Sequence, residues 1–140
     1  MRETLYNIAP LFNIEHIKKL NKVINENVVE GNDKPNTKAI KTSQVKFVNL
    51  GTIQGLIIPF LDFIISSNTF HYGFDLFQLH RSKRLNYNTY KENEEYTWHI
   101  DATPRSPVKD IKLTCLLNCS EEAYEGGDLY LFRDKEIKIE

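Results

Sequence analysis

This sequence lacks the features that mark several protein classes. Its two cysteines among 140 residues are too few for a disulfide framework or a four-cysteine zinc site. The longest apolar run, residues 55–65, contains Pro59 and Asp62 and falls short of the ~20 apolar residues that span a bilayer. The first residues of the chain lack the continuous apolar stretch of a signal peptide. We therefore expect a cytoplasmic protein that has no membrane partner.

A strong excess of charge is also lacking. The 18 basic and 19 acidic residues leave a net charge of -1, whereas nucleic-acid-binding domains carry a clear basic excess. We expect Arg81, Lys83 and Arg84 to be solvated surface, and we expect no nucleic-acid partner. Because 140 residues is the size of a single domain, we assign residues 1–140 to one domain.

Apolar periodicity divides the chain near residue 69 into a helical front and a strand-rich back. Between residues 14 and 29 apolar side chains recur every three or four positions, which is typical of an amphipathic helix, and Asn13 is a suitable N-cap. We expect the front to continue with a polar loop over 30–36, a helix over about 52–66 that Pro59 kinks, and a turn at Asn68.

Beyond residue 69, short runs of aromatic and β-branched residues are typical of strands. No helix-length periodic segment separates them, which disfavours a parallel sheet built from βαβ units. The predicted class is α+β, mainly β: an antiparallel sandwich or jelly roll with the helices of residues 1–68 packed on one side. The expected strands are 70–79, 85–90, 96–100, 111–117, 129–132 and 136–139.

The segment YTWHIDA contains a pair of residues that can bind a metal. On a strand, His99 and Asp101 project from the same face, so an imidazole nitrogen and a carboxylate oxygen can converge on one ion. Such a pair supplies two ligands of the 2-His-1-carboxylate triad that holds Fe(II) with open positions. The alternative is a structural histidine hydrogen-bonded to a nearby aspartate at a strand end.

Further residues flank this pair in order along the chain. Tyr90 and Tyr96 precede it, a β-type run with Thr114 follows, and Gly126-Gly127 enters the next run. With these elements, residues 69–132 resemble the Fe(II)- and 2-oxoglutarate-dependent oxygenases of the prolyl 4-hydroxylase type, which include the PKHD-type hydroxylases. The resemblance implies a double-stranded β-helix, of which residues 69–140 would form the first part.

The resemblance also implies roles for individual residues. His99 and Asp101 would bind Fe(II), and Tyr90 would line the 2-oxoglutarate pocket together with Leu116 and Asn118. Tyr96 is a candidate substrate contact. The implied reaction is hydroxylation of a C–H bond with O2 and 2-oxoglutarate, supported by ascorbate, on a peptide residue such as proline or on a small molecule.

Some residues leave their roles open. Tyr90 could instead pack in a β-core. Tyr87, nearby on the same predicted strand, could equally line the co-substrate pocket or pack in the core. Asn118 falls where many relatives have a tyrosine that contacts the co-substrate carboxylate. We expect Cys115 and Cys119 to pack as small apolar groups, Gly126-Gly127 to form a turn with positive φ, and Asn93 to support a left-handed turn.

The absence of histidine after residue 99 is the main departure from the family. Its members need a later histidine ligand and a later arginine or lysine that binds the 2-oxoglutarate carboxylate. Closing strands could lie beyond Glu140, the chain could be an inactive relative, or an upstream histidine or a partner chain could complete the site. The strand-like end EIKIE favours the first explanation.

Two rival functions remain open at this point. One is a non-catalytic jelly-roll module that binds a ligand or a protein and uses His99 and Asp101 structurally. The other is a cupin-like metalloenzyme of a different reaction type, for which more histidines near the first ligands would be expected. The sequence leaves the oligomeric state undetermined.

Overall fold

The computed structural model describes residues 6–30, 41–101, 111–131 and 137–139. Residues 31–36 of the predicted polar loop therefore lie outside the described residues. The elements are α1 (Ile14–Asn27), β1 (Val29–Glu30), β2 (Gln44–Asn49), α2 (Leu50–Ile53), a 3₁₀ turn (Gln54–Leu56), α3 (Ile58–Ser67), a π-helical turn (Asn68–Tyr72), β3 (Arg84–Thr89), β4 (Leu129–Leu131) and β5 (Ile137–Ile139).

Helix α1 forms where the periodicity predicts it. The Asn13 side chain accepts a hydrogen bond of 2.9 Å from the backbone N–H of His16, which confirms the predicted N-cap. The apolar stripe is buried at Ile17, Leu20 and Ile24. The sequence pattern is therefore sufficient to place this helix and the face that it buries.

The second predicted helix is divided in two. Helices α2 and α3, with their flanking turns, meet at an angle of 89° across Ile57. Pro59 lies in the first turn of α3, where backbone N–H groups have no partner within the helix, so its lack of an N–H costs no helical hydrogen bond. The predicted kink inside one helix is instead a break between two helices.

The expected turn at Asn68 is wrong, because the helical path continues to Tyr72. The π-helical turn ends at Gly73, whose φ of 61° is left-handed and suits a residue without a Cβ. In the described part of the chain, no single helix is long and apolar enough to cross a membrane, although the two bent arms reach that length and composition when taken together.

A three-stranded antiparallel sheet joins the front of the chain to the back. Its strand order is β1-β2-β3, and β2 faces β3 with Val48 opposite Leu85 and Lys46 opposite Tyr87. The sequence prediction omitted β2, although Val45 and Phe47 alternate with polar residues there. The front half is therefore not only helical, since it contributes two of these three strands.

One face of this sheet packs against the helices. The buried core cluster combines residues from α1, β2, α2 and the break before α3, and partly buried Leu85 and Tyr87 of β3 pack against it. These two side chains share a face with Val48 because directly opposite residues of an antiparallel pair point the same way. The cluster consists of Leu20, Ile24, Val48, Leu50, Ile53 and Ile57.

A buried amide connects α1 to the back of the chain. Asn21 donates from Nδ2 to the Cys119 carbonyl at 2.8 Å and to the Glu121 carboxylate at 2.9 Å, and its Oδ1 lies 3.3 Å from the Tyr87 hydroxyl that donates to it. The NH2 group and the carbonyl oxygen of the Asn21 amide thus both have hydrogen-bond partners, as buried polar groups require. Asn21 therefore fixes residues 119–121 against the helix.

The predicted strands of the back half have mixed outcomes. Strand β3 confirms the strand predicted over 85–90. Strands β4 and β5, which pair with each other, confirm the strands predicted over 129–132 and 136–139, although residues 132 and 136 lie outside the described residues. The predicted strands over 70–79, 96–100 and 111–117 are wrong: no strand forms there, and Tyr96 has only an isolated bridge to Lys41. The described sheets have three and two strands, and the jelly roll stays a prediction.

Replacing Leu20 by alanine tests whether this cluster stabilises the fold. Leu20 is 0% exposed and Ile14, on the same helix, is 44% exposed. We expect Leu20→Ala to lower the free energy of unfolding by about 2–5 kcal/mol, because a buried cavity remains, and Ile14→Ala to cost well under half of that. Urea titration followed by circular dichroism measures both. Equal losses in the two variants would contradict the assigned core.

Candidate functional site

The structure brings His99 and Asp101 together. Nε2 of His99 lies 3.2 Å from Oδ1 of Asp101, and the two side chains are 30% and 40% exposed. The second carboxylate oxygen, Oδ2, accepts a hydrogen bond from the Thr114 hydroxyl. Thr114 thus holds the carboxylate in place, and the partial exposure leaves the pair accessible to a ligand from solvent.

The hydrogen bond on the other side of the imidazole fixes its tautomer. Nδ1 of His99 lies 2.8 Å from the Thr97 carbonyl oxygen, and because a carbonyl oxygen can only accept, Nδ1 must carry a proton. Nε2 is then the nitrogen that faces the Asp101 carboxyl group, at 3.2 Å. A proton or a metal ion could bridge these two atoms.

The separation of the two atoms suits adjacent ligands of one metal ion. Metal bonds of about 2.1 Å at right angles place neighbouring ligand atoms about 3 Å apart, close to the 3.2 Å between Nε2 and Oδ1. A neutral imidazole held by its Nδ1–H is also the usual metal-binding form of histidine. His99 and Asp101 could therefore hold a metal with little rearrangement.

A third protein ligand is not assembled around the pair. Among the described residues, no group of three or more histidine, cysteine or acidic side chains is placed to hold a metal. The other three histidines have contacts elsewhere: His16 contacts the Leu56 carbonyl and stacks on Phe12, His71 packs edge-on against Tyr72, and His80 contacts the Ser82 hydroxyl. Within the part of the chain that the structure describes, the site therefore brings together the two predicted ligands, His99 and Asp101, and no third.

Tyr96 covers the imidazole. Its ring is parallel to that of His99, with an interplanar angle of 7° and ring centroids 3.7 Å apart. Burial raises the pKa of the Tyr96 phenol, and the nearby Asp101 and Tyr90 raise it further. Tyr96 therefore belongs to the site, in which the sequence predicted it as a substrate contact. Tyr90 lies near enough to affect the pKa of Tyr96.

The residues predicted to bind 2-oxoglutarate are only partly gathered. Tyr90 is close to Tyr96, but Leu116 is exposed. Asn118 donates to the Tyr124 hydroxyl at 2.9 Å and accepts from the Ser120 N–H, contacts that lie within its own segment. Tyr90 is thus linked to the site only through its electrostatic effect on Tyr96, and the roles of Tyr90, Leu116 and Asn118 stay predictions.

The chain before β2 holds the site segment in place. Lys41 forms an antiparallel bridge with Tyr96, and the Thr42 N–H donates to the Glu95 carbonyl at 2.9 Å. The Glu95 N–H in turn donates to the Thr42 hydroxyl at 2.8 Å. Residue Asn93, with φ of 63°, confirms the left-handed turn that leads into this contact. Segment 94–96 is therefore anchored without being a regular strand.

Sequence reasoning missed three residues that shape the site. Thr97 acts through its backbone carbonyl, which no side-chain pattern reveals. Lys41 and Thr42 lie more than fifty residues before Tyr96 and Glu95, so only knowledge of the strand pairing could have found them. Thr114 is among the residues that carry the resemblance to the oxygenases, although the strand predicted around it does not form.

The glycine and cysteine predictions concern the segment that follows the site. Gly126 and Gly127 have φ of 75° and 67°, which confirms the turn with positive φ. Cys119 packs at the edge of the core as expected, whereas Cys115 is more exposed. Both thiols are free, so neither forms a disulfide within the described residues.

Comparison with known proteins yields no match. No protein-family model, no curated protein and no solved structure matches this chain. The resemblance to the oxygenases therefore rests on the residues of 69–132, and the geometry of His99 and Asp101 is the structural observation that bears on it.

The packing of Cys119 leads to a prediction about its reactivity. Burial raises the pKa of the Cys119 thiol from 9.0 to about 11. At pH 8 the reactive thiolate should therefore be about a hundredfold scarcer than for a free thiol. We expect iodoacetamide to alkylate Cys119 correspondingly slowly in the folded chain and rapidly in urea, as followed by peptide mass spectrometry. Similar rates in the two conditions would show that the thiol is not buried.

Proposed function

We propose that this chain carries part of the active site of an Fe(II)- and 2-oxoglutarate-dependent dioxygenase that hydroxylates a C–H bond. The observation that supports the proposal is the 3.2 Å approach of His99 Nε2 to Asp101 Oδ1, with Nδ1 held as a donor by the Thr97 carbonyl. An iron-binding pair needs a histidine nitrogen beside a carboxylate oxygen, and the bond from Nδ1–H to the Thr97 carbonyl leaves Nε2 as the nitrogen that could bind the metal.

The bound iron and 2-oxoglutarate would supply the oxidising chemistry. One oxygen atom of O2 enters the substrate as a hydroxyl group, and the other enters succinate as 2-oxoglutarate loses CO2. The protein binds these groups, orients the substrate and keeps water away. A peptide residue or a small molecule remains the expected substrate class, and ascorbate the expected supporting reductant.

Each residue of the site has a definite task in this proposal. His99 and Asp101 hold the metal, and Thr114 fixes the carboxylate through its Oδ2. The Tyr90 hydroxyl is proposed to donate to 2-oxoglutarate, and its position near Tyr96 at the site is compatible with that task. Leu116 and Asn118 are proposed to complete the pocket wall.

A non-catalytic binding module is the second candidate function. The observation in its favour is that the described residues offer two metal ligands and no third. In that case a proton occupies the position between Nε2 and Oδ1, and the pair becomes a hydrogen-bonded contact that stabilises segment 97–101. The two candidates therefore differ in whether a metal can replace this proton.

Metal titration distinguishes the two candidates. We expect Mn(II), used as an oxygen-stable substitute for Fe(II), to bind the chain and to lose more than about tenfold in affinity in His99→Ala and in Asp101→Ala, since each removes a ligand. His80→Ala is the matched control, because His80 is an exposed histidine whose ring contacts Ser82, away from the site. Isothermal titration calorimetry at fixed pH measures the affinities. Binding that does not depend on His99 would refute the oxygenase proposal.

Turnover of the co-substrate provides a second test. With Fe(II), O2 and ascorbate present, we expect the chain to convert 2-oxoglutarate to succinate slowly even without a hydroxylation substrate. The conversion should fall to the level of free iron in His99→Ala and remain unchanged in His80→Ala, because only His99 holds the metal. Succinate is quantified by mass spectrometry. Metal binding without succinate formation would favour the binding module.

A further inference from the structure

The contact between Tyr96 and His99 is closer than ordinary aromatic packing. Aromatic pairs prefer offset or edge-to-face arrangements with centroids roughly 4.5–7 Å apart, whereas these two rings are parallel with centroids 3.7 Å apart. Direct overlap of two neutral rings sets their electron-rich faces against each other. Such close overlap therefore depends on the contacts that hold the two rings in place.

Tyr96 is itself held in place from outside the site segment. Its backbone is bridged to Lys41, and the neighbouring Glu95 exchanges hydrogen bonds with Thr42. The Lys41 ammonium lies 4.7 Å from the centroid of the Tyr96 ring and donates to Asn88 of β3 at 2.7 Å. The position of the tyrosine ring is therefore tied to the three-stranded sheet.

Without this stack, the imidazole would be held only at its edges. Nδ1 is hydrogen-bonded to the carbonyl of Thr97, two residues away on the same irregular segment. Nε2 faces Asp101, and a bound metal ion would lie between them in place of a direct contact. Rotation about the Cβ–Cγ bond would move both nitrogens away from these contacts. The Tyr96 ring opposes that rotation because it lies parallel against the face of the imidazole.

We propose that Tyr96 is a positioning residue that acts through the face of its ring to hold His99 in the orientation that binds metal. The inference rests on the proposed metal-binding function of His99 and concerns a role other than substrate contact. Since the ring face carries the role, phenylalanine should replace tyrosine here and leucine should not.

The stack can be tested in the metal-free protein by NMR. A tyrosine ring lying parallel over the imidazole shifts its carbon-bound protons upfield. We expect this upfield shift at His99 in the unaltered chain and in Tyr96→Phe, and its loss in Tyr96→Leu. The His99 signal is assigned by its disappearance in His99→Gln. An unshifted His99 signal in the unaltered chain would overturn the proposal without any variant having to fold.

Metal affinity then tests whether the stack positions the ligand. We expect Mn(II) to bind about tenfold more weakly to Tyr96→Leu, the range typical of residues that orient a metal ligand, and within about twofold of the unaltered affinity to Tyr96→Phe. Tyr130→Leu is the matched control, because Tyr130 on β4 is 42% exposed and Tyr96 is 44% exposed. Circular dichroism melting curves establish that each variant is folded.

The possible outcomes separate this inference from the proposed function. His99-dependent binding that is unchanged in Tyr96→Leu would refute the positioning role and leave the metal site intact. Equal weakening in Tyr96→Phe and Tyr96→Leu would assign the effect to the hydroxyl group and would also refute it. Mn(II) binding that ignores His99 altogether would refute the metal site itself.

Discussion

The pairing of Gln44–Asn49 with Arg84–Thr89 is the interaction on which the rest of the structure depends. It closes a long loop in the chain, and the entropy lost in doing so must be offset by the apolar surface that the pair buries. Its register places Val48 and Leu85 on the face that packs against the helices. The same pairing brings the segment before β2 alongside residues 95 and 96, where the candidate site begins.

The site at the end of this sheet consists of two side chains whose orientations are fixed by their neighbours. Nδ1 of His99 donates to the Thr97 carbonyl, and Nε2 faces the Asp101 carboxyl group. The hydroxyl of Thr114 satisfies the other carboxyl oxygen, and Tyr96 covers the ring. The neighbours thus hold His99 and Asp101 where a proton or a metal ion could bridge them.

Local patterns were sufficient for elements that depend on local interactions. The stripe of α1, its Asn13 cap and the glycine turn at Gly126 follow from periodicity and backbone preference. Strands are different, because β-propensity reflects how well a side chain fits against neighbouring strands. Residues 70–79 have strand-like composition, yet Phe77 is exposed and no described strand pairs with the segment. Composition alone could not reveal whether a pairing partner exists.

The same distinction explains what the sequence revealed of the site. The spacing of His99 and Asp101 brings their side chains together even though no regular strand forms there. The contacts of Tyr96 with Lys41 and of Glu95 with Thr42 cross more than fifty positions, and these depend on strand register. A candidate metal-binding pair can therefore be predicted from a tripeptide, whereas the residues that hold it in place become visible only when the fold is known.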